Sequence, residues 1–132
     1  MKPDPDYTKK LLEGFEGSPQ PTTDIQELQR LGLDYETPEF YFHLRLLNDG
    51  GFVERDDEES GLGVERSADG GLYWSVIPLR LTADGHTFAE ALRSQSGFQA
   101  VKKSLVQSSL GIMRDIAVAA FKSEIAKHGI SF

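Results

Sequence analysis

Apolar residues recur at helical spacing near the start of the chain, break, and return at strand spacing, so the pattern itself lays out the elements. Tyr7, Leu11, Leu12 and Phe15 share one helical face. They predict a helix over about residues 5–16, capped by Asp4 or Asp6 and weakened toward its end by Gly14 and Gly17. Ser18-Pro19-Gln20-Pro21 follows as a stiff turn, because neither proline can continue a helix. Residues 22–33 read two ways. Ile25, Leu28 and Leu31 fit a short helix, while the Thr22-Thr23 start also allows an extended segment leading to Gly32.

Thr37-Pro38-Glu39 is a helix start: threonine caps, proline suits the first helical position, and a carboxylate suits the first turn. The helix predicted over about 38–49 has Phe40, Leu44 and Leu47 as its core face, widened by Phe42 and Leu46, and a left-handed stop at Gly50-Gly51. Phe52 and Val53 open a strand, residues 56–71 form a polar loop with four glycines, and LYWSVIPLRL at 72–81 reads as the returning strand. Alternation puts Tyr73, Ser75, Ile77, Leu79 and Leu81 on one of its faces and Leu72, Trp74, Val76, Pro78 and Arg80 on the other, with Pro78 marking an edge or bulge. Thr82 caps a helix over about 83–94 with Phe88, Ala91 and Leu92 inward. Ser94–Gly97 is read as a break. A helical pattern then runs from Phe98 through Val101, Leu105, Leu110, Met113, Ile116, Ala120 and Ile125 to a stop at Gly129, with Gly111 as a joint. This order predicts an α+β fold: a winged-helix-like domain over 1–94 and a C-terminal helical extension over 95–132, packed on it or used for dimerisation.

Charge changes the functional picture. Residues 1–90 hold 8 Lys and Arg against 19 Asp and Glu, a net of −11, whereas residues 91–132 hold 6 against 2, a net of +4. Such a split fits a tail docked on its own head, a head-to-tail oligomer, or two surfaces for different partners. The absence of cysteine excludes disulfides, thiol catalysis and thiolate zinc sites. The N-terminal MKPDPDYTKK has no apolar leader core and no apolar run is long enough for a membrane span, so the expectation is a cytoplasmic protein without membrane partners.

Three blocks resemble a known family. MKPDPDYTKKLL is similar to its M-K-x-D-x-D opening and amphipathic helix, FHLRLLNDGGFVE to its Y-H-L-x-L-L-x-x-A-G-L-I-x segment, and RLTADGHTFAEALR to its R-L-T-x-x-G-H-x-F-L-x-x-I-R block. The family is the bacterial and phage group catalogued as domain of unknown function 2513. Phe42 stands where that family usually has Tyr, and Gly50 where it usually has Ala. The resemblance covers roughly residues 1–93, and implies a winged-helix-like fold and a phage or mobile-element setting. It brings no catalytic residues.

In a winged helix, Tyr41, Arg45 and Asn48 are what the recognition helix offers to base edges, Arg to guanine and Asn to adenine. Affinity for DNA, however, comes largely from Lys and Arg on phosphates. Residues 53–66 set Glu54, Asp56, Asp57, Glu58, Glu59 and Glu65 against Arg55 and Arg66, a net of −4, which opposes DNA. The contact surface is therefore expected around Tyr41, Arg45, Asn48, Arg55, Asp56, Asp57, Glu58 and Glu59, with a protein as the favoured partner. A DNA-binding transcriptional regulator is one alternative, and an acidic inhibitor that occupies a nucleic-acid site on another protein is a second. The acidic run lacks the alternating spacing of a calcium loop, His43 and His86 are read as structural residues, and His128 in the tail is weaker still, with no second histidine at helical spacing from any of them. With no nucleophile elbow, phosphate loop or H-E-x-x-H, the reading is a non-enzyme with no cofactor and no metal. Leu105, Met113, Ile116, Ala120 and Ile125 form the expected dimer face of the tail.

Overall fold

A computed structural model describes residues 1–104 and 109–127. The first helix, α1 (Pro5–Glu16), is capped by Asp4, whose carboxylate accepts the Asp6 N–H at 3.0 Å. Gly14 serves packing there: a β-carbon would press into Leu28 at 2.8 Å, so the glycine lets α2 (Ile25–Arg30) approach closely. Both readings of residues 22–33 hold in part. Thr23 is extended and exchanges two 2.8 Å backbone hydrogen bonds with Leu79, and Asp24 then caps the short α2. Helix α3 (Pro38–Asp49) begins at the Thr37 cap and buries Phe40, Leu44 and Leu47 as its pattern requires. Its stop is narrower than expected. Only Gly51 is left-handed (φ +76), whereas Gly50 is helical (φ −80) and leaves room for the Phe52 ring, which would lie 2.7 Å from a β-carbon there.

The strands depart most from the sequence reading. Strand β1 (Val53–Arg55) pairs antiparallel with β4 (Leu79–Leu81), Val53 opposite Leu81 and Glu54 opposite Arg80. Inside that long hairpin sits a second one, β2 (Val64–Arg66) with β3 (Leu72–Trp74), in a separate two-stranded sheet. The predicted loop 56–71 thus contains a strand, and the predicted single strand 72–81 is interrupted at Ser75–Pro78. Its expected two-faced alternation fails for the same reason: Leu79 and Leu81 are buried, but Tyr73 and Ser75 are exposed. A strand passing from one sheet to another does not keep one face inward.

Helix α4 (Ala83–Arg93), capped by Thr82, buries Phe88, Ala91 and Leu92. A β-carbon at Gly85 would overlap the Phe52 carbonyl oxygen, so α4 seats directly on the chain entering β1. The expected break at Ser94–Gly97 shrinks to Ser94, which ends α4 and caps α5 (Gln95–Lys103). The last helix, α6 (Leu110–Lys127), has Gly111 inside its first turn, so the joint precedes that glycine. Leu105, His128 and Gly129 lie outside the described residues.

One hydrophobic cluster runs from Leu11 and Phe40 through Phe88 and Leu92 to Val101, Met113 and Ala117. The extension thus packs on the head. Charge follows the same route: Arg93 meets Glu16 at 2.9 Å, Arg114 meets Asp84 at 2.6 Å, and Lys102 meets Asp6 at 3.7 Å. Of the three meanings of the charge split, docking of the tail on its own head is the one these contacts display. No described helix is long and apolar enough to cross a membrane.

Candidate functional site

Helix α3 turns its non-core side toward the inner hairpin. Trp74, from β3, packs edge-to-face against three rings of that region: Phe40 at 5.6 Å, Tyr41 at 6.0 Å and Tyr35 at 6.3 Å between centroids. Between helix and hairpin lies an open cleft of about 750 Å³, whose aromatic lining is Tyr35, Tyr41, Phe42, Tyr73 and Trp74. Tyr73 is 60% exposed, an unusual degree for so large a ring, and Met1 also lines the cleft exposed. The polar lining is sparse. Glu36 and Arg45 supply its charged side chains, with Thr37 beside them.

The sequence-level candidates separate here. Tyr41 and Arg45 share the cleft, and the Arg45 guanidinium donates to the Tyr41 hydroxyl at 3.2 Å and lies 5.8 Å from the Tyr41 ring centre. Asn48 is engaged elsewhere: its side-chain amide donates to the Val53 carbonyl at 2.9 Å, tying the end of α3 to β1. A base reader needs that amide free. Arg55 is likewise held, by two hydrogen bonds to the Asp57 carboxylate at 2.9 and 2.6 Å, and this pairing holds the Asp57 carboxyl below its ordinary range. Asp56, Asp57, Glu58 and Glu59 are exposed, and none of them lines the aromatic cleft. Asp56 instead borders a second cleft, with Arg80 and His86.

His43 sits on the other side of α3, buried between the Tyr7 and Phe42 rings at 4.6 and 5.2 Å. Its Nδ1 lies 2.7 Å from the Glu39 carbonyl oxygen and its Nε2 accepts the Asp4 backbone N–H at 2.9 Å. Burial lowers its basicity, and the Glu39 carbonyl and the Asp4 and Glu39 charges only partly offset this. The ring is a neutral brace. Among the described residues, no group of three or more His, Cys, Asp or Glu could hold a metal ion.

Of the expected dimer face, Met113 is buried beneath its own chain, while Ile116, Ala120 and Ile125 are half-buried. Ile125 borders a cleft with Phe121, Ser94 and Gln99 between α5 and α6.

Tyr35, Phe42, Tyr73 and Trp74 were not singled out from the sequence as site residues. The available signal was aromatic density in two distant segments, DYETPEFYF and LYW, without any indication that they meet. No curated protein and no solved structure matches the chain. Residues 2–111 match the family model described as "Hypothetical protein (DUF2513)", and the chain belongs to that family.

Proposed function

We propose that this chain is a non-enzymatic, winged-helix-like protein that works by binding another protein, as an accessory or regulatory factor of a phage or mobile element. The winged-helix reading draws support from connectivity. Helix, bridged extended residue, two helices, strand, hairpin and strand follow in that order, and Thr23, β4 and β1 lie side by side. The phage setting rests on the family resemblance alone.

The observation that carries protein binding is the aromatic cleft. One exposed Tyr ring, Tyr73, and the half-buried rings of Tyr35, Tyr41 and Trp74 beside few charged groups are the make-up of protein-contact surfaces, whereas DNA needs cations aimed at phosphate. On α3, Arg45 is the single cation and Asn48 is already bonded within the fold. The charge field agrees: residues 34–74, which build the cleft and the hairpins, hold 3 arginines against 11 acids, a net of −8.

A photo-reactive phenylalanine analogue at position 73 tests the reading in cells. Cross-linking to a protein, lost on Tyr41→Ala, is the expected result. Cross-linking to nucleic acid, together with a low-salt gel shift abolished by Arg45→Ala, would establish the DNA-binding alternative instead.

A further inference from the structure

We infer, resting on the protein-binding reading above, that the partner enters the cleft as an extended, uncharged segment of polypeptide that adds a strand to the free edge of β3. The hydrogen-bond register of the inner hairpin shows that this edge is open. Ser75 donates its N–H to the Gly63 carbonyl at 2.7 Å, and Ser67 donates to the Gly71 carbonyl at 2.9 Å. Antiparallel strands alternate bonded and non-bonded pairs, so in this register Gly63 with Ser75, Glu65 with Tyr73 and Ser67 with Gly71 are the bonded ones. The main-chain N–H and C=O groups of Leu72 and Trp74 therefore point away from β2. Strand β3 has β2 as its single neighbour, and among the described residues no other group bonds the Leu72 or Trp74 main chain.

The cleft runs along that edge. Trp74 turns its side of the hairpin toward α3, which leaves Tyr73 on the outer side, 60% exposed. Successive strand residues point to opposite faces, yet Leu72, Tyr73 and Trp74 all line the cleft, and no residue of β2 does. A space bordered by both faces of one strand, but not by its neighbour, lies beside that strand's free edge. Its far wall is α3, so an added strand would lie between a strand and a helix.

The chemistry of the occupant follows from these walls. A strand edge offers main-chain donors and acceptors in a row, which an extended polypeptide matches and a nucleic acid does not. Every second side chain of the added strand would face α3, where Tyr41 and Phe42 favour an apolar group. The charges of the lining cancel, Glu36 against Arg45, so the complementary strand carries no net charge.

Trp74 is the only tryptophan, so its emission reports binding at the cleft. The full chain is titrated with a short uncharged peptide of alternating threonine and valine, with the same peptide N-methylated at every residue, and with a DNA duplex. Saturable binding of the first peptide is expected, about ten-fold weaker once its main-chain donors are methylated. Amide exchange reads the register: the N–H groups of Leu72 and Trp74 should gain protection, whereas that of Tyr73, already bonded to Glu65, should change little. Leu72→Pro removes one outward N–H without breaking the ladder to β2 and should weaken binding, while Leu72→Ala keeps that donor and the binding. If Leu72→Pro does not fold by circular dichroism, the methylated peptide and the amide pattern still decide. Equal binding of the methylated peptide, or no binding of the unmethylated one, overturns strand addition, and the cross-link at position 73 then decides the wider reading separately. Protection of Leu72 and Trp74 that rises with chain concentration alone gives the edge to a second copy and overturns the separate partner. A response to the duplex alone overturns both readings.

Discussion

The backbone N–H of Asp4 donates to Nε2 of His43 at 2.9 Å, pinning the start of α1 to the middle of α3. Because that N–H is only a donor, Nε2 must be unprotonated, and the ring proton belongs on Nδ1, aimed at the Glu39 carbonyl oxygen 2.7 Å away. A second proton on the ring breaks this link. With the folded value of His43 below the ordinary 6.5, the unfolded chain binds more protons near pH 6 than the folded one. The stabilising contribution of His43 is therefore complete above about pH 6.5 and is lost as pH falls through the lower folded value. Urea unfolding at steps between pH 7.5 and about 5 should show falling stability, with a flatter profile in His43→Gln. Identical slopes for the two proteins would reject this role.

The Tyr7 hydroxyl is buried without a hydrogen bond of normal geometry, and burial raises its phenol above the ordinary range against the opposing effect of neighbouring Thr37. Neighbouring Thr37 already donates to the Asp34 carbonyl at 2.7 Å and accepts from Phe40 at 3.3 Å. Tyr7→Phe removes the unpaired group and keeps the ring on His43, so it should stabilise the fold by about 1 kcal/mol in chemical denaturation. A loss of stability would show that the hydroxyl is satisfied.

Gly97 lies where α4, α5 and α6 converge, and a β-carbon would overlap the Ala91 carbonyl oxygen and come within 3.0 Å of that of Ala117. Both obstacles are backbone, so neither can rotate aside. Gly97→Ala should cost about 2–3 kcal/mol. Gly61→Ala should also destabilise, but for another reason: its surroundings are open and only its left-handed φ of +83 resists a side chain. Thermal melts of the two variants, with ion pairs 16–93 and 84–114 monitored by NMR, would separate helix displacement from loop strain.

Glu58 is the only non-glycine described residue with positive φ, at 65°. Asparagine tolerates that conformation better, so Glu58→Asn should raise stability by about 0.5 kcal/mol. It also removes one of the loop's acids, which should leave Trp74 emission unchanged because the loop does not line the aromatic cleft.

Asn48 and Arg45 should behave oppositely on substitution. Asn48→Ala deletes the tie to Val53 and should cost about 1 kcal/mol of stability. Arg45→Ala, at an exposed position, should leave stability within about 0.5 kcal/mol and alter ligand binding at the cleft. If both changed stability equally, Arg45 would be structural as well.

Local chemistry was fully legible in the residues themselves. The caps Thr37 and Thr82, a first cap at Asp4 or Asp6, the core faces of α1, α3 and α4 and the α+β class follow from short-range spacing, because caps and amphipathic faces are decided within a few residues, and the family follows from the three resembling blocks. The opposite charges of head and tail were equally plain in composition. Tertiary structure decided whatever depended on distant segments meeting. Val64–Arg66 becomes a strand because it pairs with Leu72–Trp74, and residues 72–81 divide because their two ends join different sheets. Asn48 looked free until β1 supplied the Val53 carbonyl, and Met113 looked available to a second copy until its own chain covered it. The aromatic cleft belongs to the same class. Tyr35 and Tyr41 are separated from Trp74 by more than thirty residues, and only the fold of the inner hairpin onto α3 turns three scattered rings into one surface.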